Sequence, residues 1–150
     1  MSSFPPEVRN LVEHFARNRD ALRSPAYNEA QARQEFIDPF FKALGWDMDN
    51  EQGLAEAYKD VIHEDAIKIG GATKAPDYCF RIGGTRKFFV EAKKPAVGLE
   101  TDPEPAYQLR RYAWTSKRPC RSSARLTSSF WRVEGLCGRL HRRYTESKLV

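Results

Sequence analysis

The sequence has few of the features of membrane or secreted proteins. No apolar run approaches the roughly 20 residues that a membrane-spanning helix needs, and residues 1–6 carry neither the basic nor the apolar region of a secretion signal. Cysteine is scarce, and the three thiols, Cys79, Cys120 and Cys137, match neither a disulfide framework nor paired zinc ligands. We therefore expect free thiols, a soluble domain or a piece of a larger enzyme, and a cytoplasmic location.

An excess of positive charge is missing from most of the chain. Residues 1–117 contain 17 Lys and Arg against 18 Asp and Glu, a net charge of −1, and residues 118–150 contain 8 against 2, a net charge of +6. The two sums give the +5 of the whole chain. Only the C-terminal segment therefore has the charge that attracts an anionic partner such as nucleic acid.

The same C-terminal segment lacks the patterns of regular structure. Residues 118–150 are enriched in Arg, Ser and Cys, contain no Asp and show no strand period. This abrupt change is typical of out-of-frame translation of a GC-rich gene, and a genuine basic tail that binds nucleic acid is the alternative. We predict an ordered domain over residues 1–117 and a disordered basic tail over residues 118–150.

Three stretches have the features of amphipathic helices. The first is predicted over about 6–19 and the second over about 29–44, with Asn28 as the N-cap of the second. Pro39 is expected to kink or break the second helix, because proline has no N–H to donate. An acidic N-cap followed by proline predicts a third helix over about 103–116.

The middle of the chain carries the strand signals. Residues 60–69 are rich in β-branched side chains and end at two glycines, which predicts one strand. In two stretches, 75–82 and 86–95, polar and apolar residues alternate. They flank the turn sequence Gly83-Gly84-Thr85, and together they predict a β-hairpin.

The faces of this hairpin favour one register. A two-residue loop would mix polar and apolar side chains on each face, so we predict a three-residue loop over residues 83–85. Three cross-strand pairs follow: Ile82 with Arg86, Phe80 with Phe88, and Tyr78 with Val90. One face is then apolar and consists of Tyr78, Phe80, Ile82, Phe88, Val90 and Ala92. The other face carries three charged residues: Asp77, Glu91 and Lys93.

In this register two carboxylates repel each other. Asp77 and Glu91 lie opposite, with Cβ atoms about 5 Å apart, and a divalent cation between them would relieve the repulsion. Mg²⁺ prefers carboxylate and water oxygens, and such a site suits hydrolysis of a phosphodiester. The Lys93 ammonium could then position or deprotonate the attacking water and offset charge on phosphorus. An ordinary strand edge with an exposed salt bridge is the alternative for the Glu-Ala-Lys tripeptide.

The spacing of these residues resembles the PD-(D/E)XK nuclease superfamily. The two defining motifs are Pro76-Asp77 and Glu91-Ala92-Lys93. More narrowly, the chain is similar to the N-terminal nuclease domain of type I restriction R subunits and of restriction-methylase fusion enzymes. Further stretches support this resemblance: Asn28-Glu29-Ala30-Gln31-Ala32-Arg33, Phe36-Ile37-Asp38-Pro39-Phe40-Phe41, Leu44-Gly45-Trp46, Val90-Glu91-Ala92-Lys93-Lys94-Pro95 and Ala106-Tyr107-Gln108-Leu109-Arg110-Arg111-Tyr112-Ala113.

The resemblance covers about residues 5–117 and implies an α/β (α+β) fold. In that fold a restriction-endonuclease-like mixed β-sheet is flanked by helices, and here it would be incomplete at its C-terminus. The resemblance also implies Mg²⁺, with Mn²⁺ as a substitute, bound by Asp77 and Glu91 beside the catalytic Lys93.

Two helices add residues to the implied site. In the family a helical Glu helps to coordinate the metal through water, which corresponds to Glu29, although Glu35 on the same helix competes for this role. A Gln-x-x-x-Tyr helix supports the site, which corresponds to Gln108 and Tyr112.

The implied function is that of a Mg²⁺-dependent DNA endonuclease domain of a restriction-modification system. Its expected partners are double-stranded DNA and the methyltransferase, specificity and motor domains or subunits of that system. The sequence contains neither a methyl-donor-binding glycine loop nor a helicase P-loop, so modification and translocation would come from other parts. The alternative function is a nuclease-like module that binds DNA or partner subunits without cutting.

Overall fold

The computed structural model describes residues 5–96, Tyr107 and residues 124–126. These residues form short helices and two β-sheets, which confirms the predicted α+β class. The predicted third helix lies outside the described residues except for Tyr107, which is helical and half exposed. No helix in this described part is long and apolar enough to cross a membrane.

The described residues belong to two compact units. The helical unit contains residues 5–46 and 93–96, and the sheet unit contains residues 47–92, Tyr107 and residues 124–126.

The helical unit begins with two helices where the sequence predicts one. The chain turns at Asn18, whose side chain donates to the His14 carbonyl at 3.0 Å. The helical segments of this unit are α1 (Pro6–Arg17), α2 (Arg19–Leu22), α3 (Glu29–Ala32), a π-helical segment (Arg33–Ile37) and α4 (Asp38–Ala43).

The helix after residue 28 begins as the sequence predicts and changes geometry before its proline. Asn28 is the N-cap: its Oδ1 accepts from the Gln31 N–H at 2.9 Å, and Gln31 Oε1 accepts from the Asn28 N–H at 2.9 Å. Further on, the Asp38 N–H donates to the Arg33 carbonyl, five residues back. This wider turn accommodates Pro39, which has no N–H and whose ring crowds the turn before it.

Aromatic side chains form the core of the helical unit. Phe15 and Phe36 meet edge to face, with ring centroids 5.6 Å apart. They belong to a buried cluster of five side chains: Phe15, Leu22, Tyr27, Ala32 and Phe36. α1 is therefore joined to the helix that carries Asn28 by burial of apolar surface.

The strands of the sheet unit are β1 (Val61–His63), β2 (Ile67–Ile69), β3 (Ala72–Lys74), β4 (Tyr78–Ile82), β5 (Thr85–Ala92) and β6 (Ala124–Leu126). Four of them form a mixed sheet in the order β1-β4-β5-β6. β1–β4 and β4–β5 are antiparallel, β5–β6 is parallel, and β2–β3 form a separate hairpin.

The prediction of a single strand over residues 60–69 is wrong. Glu64 adopts a left-handed conformation, with φ of 52°, and ends β1. The chain then leaves the larger sheet and forms β2, which pairs with β3 across Gly70-Gly71. β-branched residues stand on both sides of this break, at Val61 and Ile62 before it and at Ile67 and Ile69 after it, so their enrichment alone does not reveal it.

The predicted register of the β4–β5 hairpin is confirmed at the centre of the hairpin and is wrong at its turn. Tyr78 pairs with Val90 and Phe80 pairs with Phe88, as predicted, and the Phe80 and Phe88 rings stack 4.5 Å apart. The three-residue loop and its Ile82–Arg86 pair are wrong, because Ile82 pairs with Thr85 and Arg81 pairs with Arg86.

A β-bulge reconciles the two ends of this hairpin. The loop is the two-residue Gly83-Gly84, with φ of 55° and 76°, which suits the twist of a tight hairpin. The register shifts between Phe80 and Arg81, so Lys87 is the extra residue of a bulge in β5. A Cβ on Gly84 would also lie only 2.9 Å from the Ala57 carbonyl oxygen, which adds a steric reason for glycine there.

Both faces of the hairpin carry buried apolar side chains. Of the face predicted to be apolar, Ile82 is only half buried, and the rest are buried: Tyr78, Phe80, Phe88, Val90 and Ala92. The opposite face is not purely polar, because Cys79 and Phe89 form a second buried cluster with Ile62 and Ile67.

β6 lies in the segment for which the sequence predicts no regular structure. Residues Ala124–Leu126 pair in parallel with Val90–Ala92 of β5, so that prediction is wrong for these three residues. Strand pairing joins backbone groups and does not require an alternating side-chain pattern. The other residues of 118–150 lie outside the described residues, and the boundary at residue 117 and the frameshift stay predictions.

Candidate functional site

Asp77 is held in place from two sides of the sheet unit. It lies directly before β4, and its carbonyl oxygen accepts a hydrogen bond from the Glu64 N–H at 3.2 Å. Its carboxylate Oδ2 accepts from the Ala92 N–H of β5 at 2.7 Å. A charged acceptor strengthens such a bond, so the carboxylate is fixed beside the end of β5.

Glu91 projects from β5 next to this contact. Because Tyr78 pairs with Val90, the register puts Glu91 opposite Asp77 one step further along the strands. Glu91 is buried, with 6% of its surface exposed. Burial disfavours a charged carboxylate, and so does a second carboxylate nearby, so this carboxylate pair is an arrangement that a bound cation would stabilise.

Lys93 follows two residues after Glu91 and belongs to the helical unit. Its Nζ lies 3.1 Å from Glu29 Oε1. The side chains are 21% exposed for Lys93 and 41% exposed for Glu29, so the ion pair is only partly screened by water. Glu29 occupies the first turn of α3, directly after the Asn28 N-cap.

The structure separates the two glutamates that compete for the helical position. Glu29 is the one that contacts Lys93. Glu35 lies near Tyr27, where burial and the Glu35 carboxylate raise the pKa of the Tyr27 hydroxyl.

The metal-ligand set predicted from the sequence, Asp77, Glu91 and Glu29, stays a prediction. Within residues 5–96, Tyr107 and 124–126, no group of three or more His, Cys, Asp or Glu side chains is arranged to hold a metal ion. The hairpin supplies two carboxylates, Asp77 and Glu91, and this donor set fits Mg²⁺ because that ion keeps several waters when it binds protein. The role of Glu29 as a further ligand stays a prediction, and Gln108 and Tyr112 lie outside the described residues.

A second charged cluster lies at the turn end of the hairpin and was not predicted. Asp65 Oδ2 accepts from Arg81 Nη2 at 3.0 Å and from Arg86 Nε at 2.7 Å, and Asp65 Oδ1 accepts from Arg86 Nη2 at 2.9 Å. Burial raises the pKa of Asp65, but the hydrogen bonds from Arg86 and Arg81 outweigh burial and hold this pKa below its usual value.

Cys79 borders this cluster and is a free, fully buried thiol. Burial, together with the nearby Asp65 carboxylate, raises the pKa of the Cys79 thiol to about 12. A thiol with such a pKa stays protonated at neutral pH and is a poor nucleophile. The free thiol predicted from the sequence is confirmed for Cys79, and the other two cysteines lie outside the described residues.

The chain is similar to the type II restriction enzyme and methyltransferase RM.Eco57I of Escherichia coli. The two are 43% identical over 113 residues. These residues make up 74% of this chain and 11% of that relative, so the chain spans a small fraction of the relative's length. No family model matches the chain, and no solved structure matches it.

Proposed function

We propose that the chain is the nuclease part of a restriction-modification enzyme and hydrolyses DNA phosphodiester bonds with Mg²⁺. Its fold would be that of the PD-(D/E)XK nucleases, and its position would be at the N-terminus of a larger restriction-methylase protein in the cytoplasm. Similarity to a restriction enzyme and methyltransferase supports the system to which the chain would belong.

One observation carries this proposal. The register of the β4–β5 hairpin, continued one step, puts Asp77 opposite Glu91, and Lys93 follows directly after the end of β5. Two acids in opposite positions repel each other, because like charges opposite each other destabilise a sheet. A cation-binding role explains why both carboxylates are there.

Each residue of this set has a distinct part in the proposed reaction. Asp77 and Glu91 would hold Mg²⁺, and the hydrogen bond from the Ala92 N–H fixes the Asp77 carboxylate in place. When bound, the ion lowers the pKa of a coordinated water and neutralises charge on the phosphate. Lys93 supplies a fixed positive charge for the phosphate oxygens as negative charge builds up on them.

The proposed partners follow from the similarity to a much longer restriction enzyme and methyltransferase. DNA is the proposed substrate, and methyltransferase, specificity and motor functions would come from the remainder of a longer protein or from other subunits. The basic segment at residues 118–150, with its net charge of +6 from 8 basic and 2 acidic residues, would add salt-sensitive, sequence-independent contacts to phosphates.

Nicking of supercoiled plasmid tests this function directly. The full chain with Mg²⁺ should convert supercoiled DNA to open circles, and a chelator should stop the reaction. Asp77→Asn and Lys93→Met should each reduce the rate by about a hundredfold or more. Lys94→Met is the matched control, since it removes the adjacent lysine and should leave nicking intact.

One observation favours a second candidate function. A module that binds DNA or partner subunits without cutting needs no third ligand, and no three-residue metal group is present in the described part of the chain. If the wild-type chain binds DNA but shows no nicking with Mg²⁺ or Mn²⁺, this second function replaces the first.

A further inference from the structure

The Lys93–Glu29 ion pair joins two places that are far apart in the chain. Lys93 Nζ and Glu29 Oε1 are 3.1 Å apart, and the two residues are 64 positions apart in sequence. A lysine side chain has a flexible four-carbon stem and samples many rotamers unless a partner fixes its ammonium. Glu29 supplies such a partner.

The backbone of Glu29 lies in a capped turn of a helix. The capping box between Asn28 and Gln31, with both hydrogen bonds at 2.9 Å, fixes the first turn of α3 in which Glu29 lies. The carboxylate also lies at the helix N-terminus, where the backbone N–H groups favour negative charge. The backbone position of Glu29 is therefore fixed, and from this position its carboxylate reaches the Lys93 ammonium.

We infer that Glu29 is a positioning residue for Lys93 and not a ligand of the metal ion. This inference rests on the proposed nuclease function. It assigns to Glu29 a role that acts through the lysine: Glu29 holds the ammonium in one place after the end of β5, so that Lys93 meets the reacting phosphate without a search among rotamers.

The distinction has a measurable consequence. A metal ligand contributes to metal affinity, whereas a residue that orients Lys93 contributes to turnover once metal is already bound. Neutralising Glu29 should therefore lower kcat at saturating metal and leave the half-saturating metal concentration unchanged.

The experiment uses the full chain and Mn²⁺ as the probe. Calorimetric Mn²⁺ titration is combined with plasmid nicking over a range of Mn²⁺ concentrations for the wild type, Glu29→Gln, Glu29→Asp and Asp77→Asn. Glu29→Gln should bind Mn²⁺ within about twofold of the wild type and nick about tenfold more slowly or worse. Glu29→Asp should recover part of the rate, and Asp77→Asn should lose Mn²⁺ binding.

Two control variants make the comparison specific. Glu35→Gln removes the competing acid on the same helical segment, and Glu56→Gln breaks the exposed Glu56–Lys59 ion pair of the sheet unit. Both should bind Mn²⁺ and nick like the wild type. Thermal unfolding of each variant shows whether a slower rate comes from a damaged fold.

Three results would overturn the inference, and they differ from one another. If Glu29→Gln loses Mn²⁺ binding as Asp77→Asn does, Glu29 is a ligand after all. If Glu29→Gln nicks at the wild-type rate, the ion pair is a surface contact only. If the wild-type chain does not nick, the proposed function fails, and the positioning role fails with it.

Discussion

The two ends of the β4–β5 hairpin differ in how their charged side chains are arranged. At the turn end, the Asp65 carboxylate is matched by two guanidinium groups, Arg81 at 3.0 Å and Arg86 at 2.7 Å. At the open end, the register continued one step beyond the Tyr78–Val90 pair puts two acids, Asp77 and Glu91, in opposite positions. Matched charges stabilise a fold, whereas opposed like charges cost stability. A protein keeps the second arrangement only where another task requires it.

This contrast predicts which measurement each substitution will change. Charges at the turn end should affect the free energy of unfolding and leave catalysis unchanged. Charges at the open end should affect catalysis and leave the free energy of unfolding almost unchanged or higher.

Phe88→Ala should have the largest effect on stability. Phe88 is 4% exposed and stacks on Phe80 in the middle of the hairpin. Its truncation leaves a cavity and removes the ring contact that helps to hold β4 and β5 in register. We expect a loss of about 3 to 5 kcal/mol in the free energy of unfolding, measured by urea denaturation.

Tyr58→Ala is the matched control for this aromatic truncation. Tyr58 is 61% exposed, so its loss should change the free energy of unfolding by no more than about 0.5 kcal/mol. A loss below about 1 kcal/mol for Phe88→Ala would show that the hairpin register does not depend on the Phe80–Phe88 stack.

Asp65→Asn should have the next largest effect. It removes the negative charge that accepts three hydrogen bonds from Arg81 and Arg86, and it leaves both guanidinium groups without this counter-charge. We expect a loss of about 1.5 to 3 kcal/mol in the free energy of unfolding, with plasmid nicking unchanged. Glu51→Gln, at an exposed acid, should change neither.

The pH dependence of this effect has a defined sign. The pKa of Asp65 is lower in the folded protein than in the unfolded chain, where it is about 3.9. Its stabilising contribution is therefore complete above the unfolded pKa and is lost as the pH falls through the folded pKa. The stability difference between wild type and Asp65→Asn should shrink in acidic buffer, and a difference that grows there would contradict the ion-pair interpretation.

Sequence patterns predicted the parts of this hairpin that depend on neighbouring residues. Alternation and face sorting placed Phe80 opposite Phe88 and Tyr78 opposite Val90, and the same local logic placed Asn28 at a helix N-terminus. In each case, the residues that decide the structure lie within one helix turn or one hairpin.

The parts that the sequence did not predict depend on residues far apart in the chain. Asp65 and Arg86 are 21 positions apart, and their contact requires the chain to leave the sheet at Glu64. The bulge at Lys87 reconciles a tight glycine turn with aromatic pairing, and neither feature alone predicts it. Pairing of β6 with β5 is made through backbone groups, which leave no pattern in the side chains.

The smallest expected change in stability is that of Glu91→Gln, and its sign tests the contrast most sharply. This substitution keeps the size of the buried side chain and removes one of the two opposed charges. In metal-free buffer the free energy of unfolding should rise by about 0.2 to 1 kcal/mol, measured by urea denaturation. Plasmid nicking should be lost, because the carboxylate that would hold Mg²⁺ is gone.

In metal-free buffer Glu91→Gln should be the more stable protein, and with added Mg²⁺ the wild type should have the higher free energy of unfolding. The wild type would gain stability with rising Mg²⁺, because a ligand that binds only the folded state stabilises it, whereas Glu91→Gln would gain little. Ca²⁺ is a suitable parallel titrant, since it is also a hard cation that prefers oxygen ligands. If Glu91→Gln is less stable than the wild type with and without these cations, Glu91 serves the fold as Asp65 does, and the two ends of the hairpin are alike.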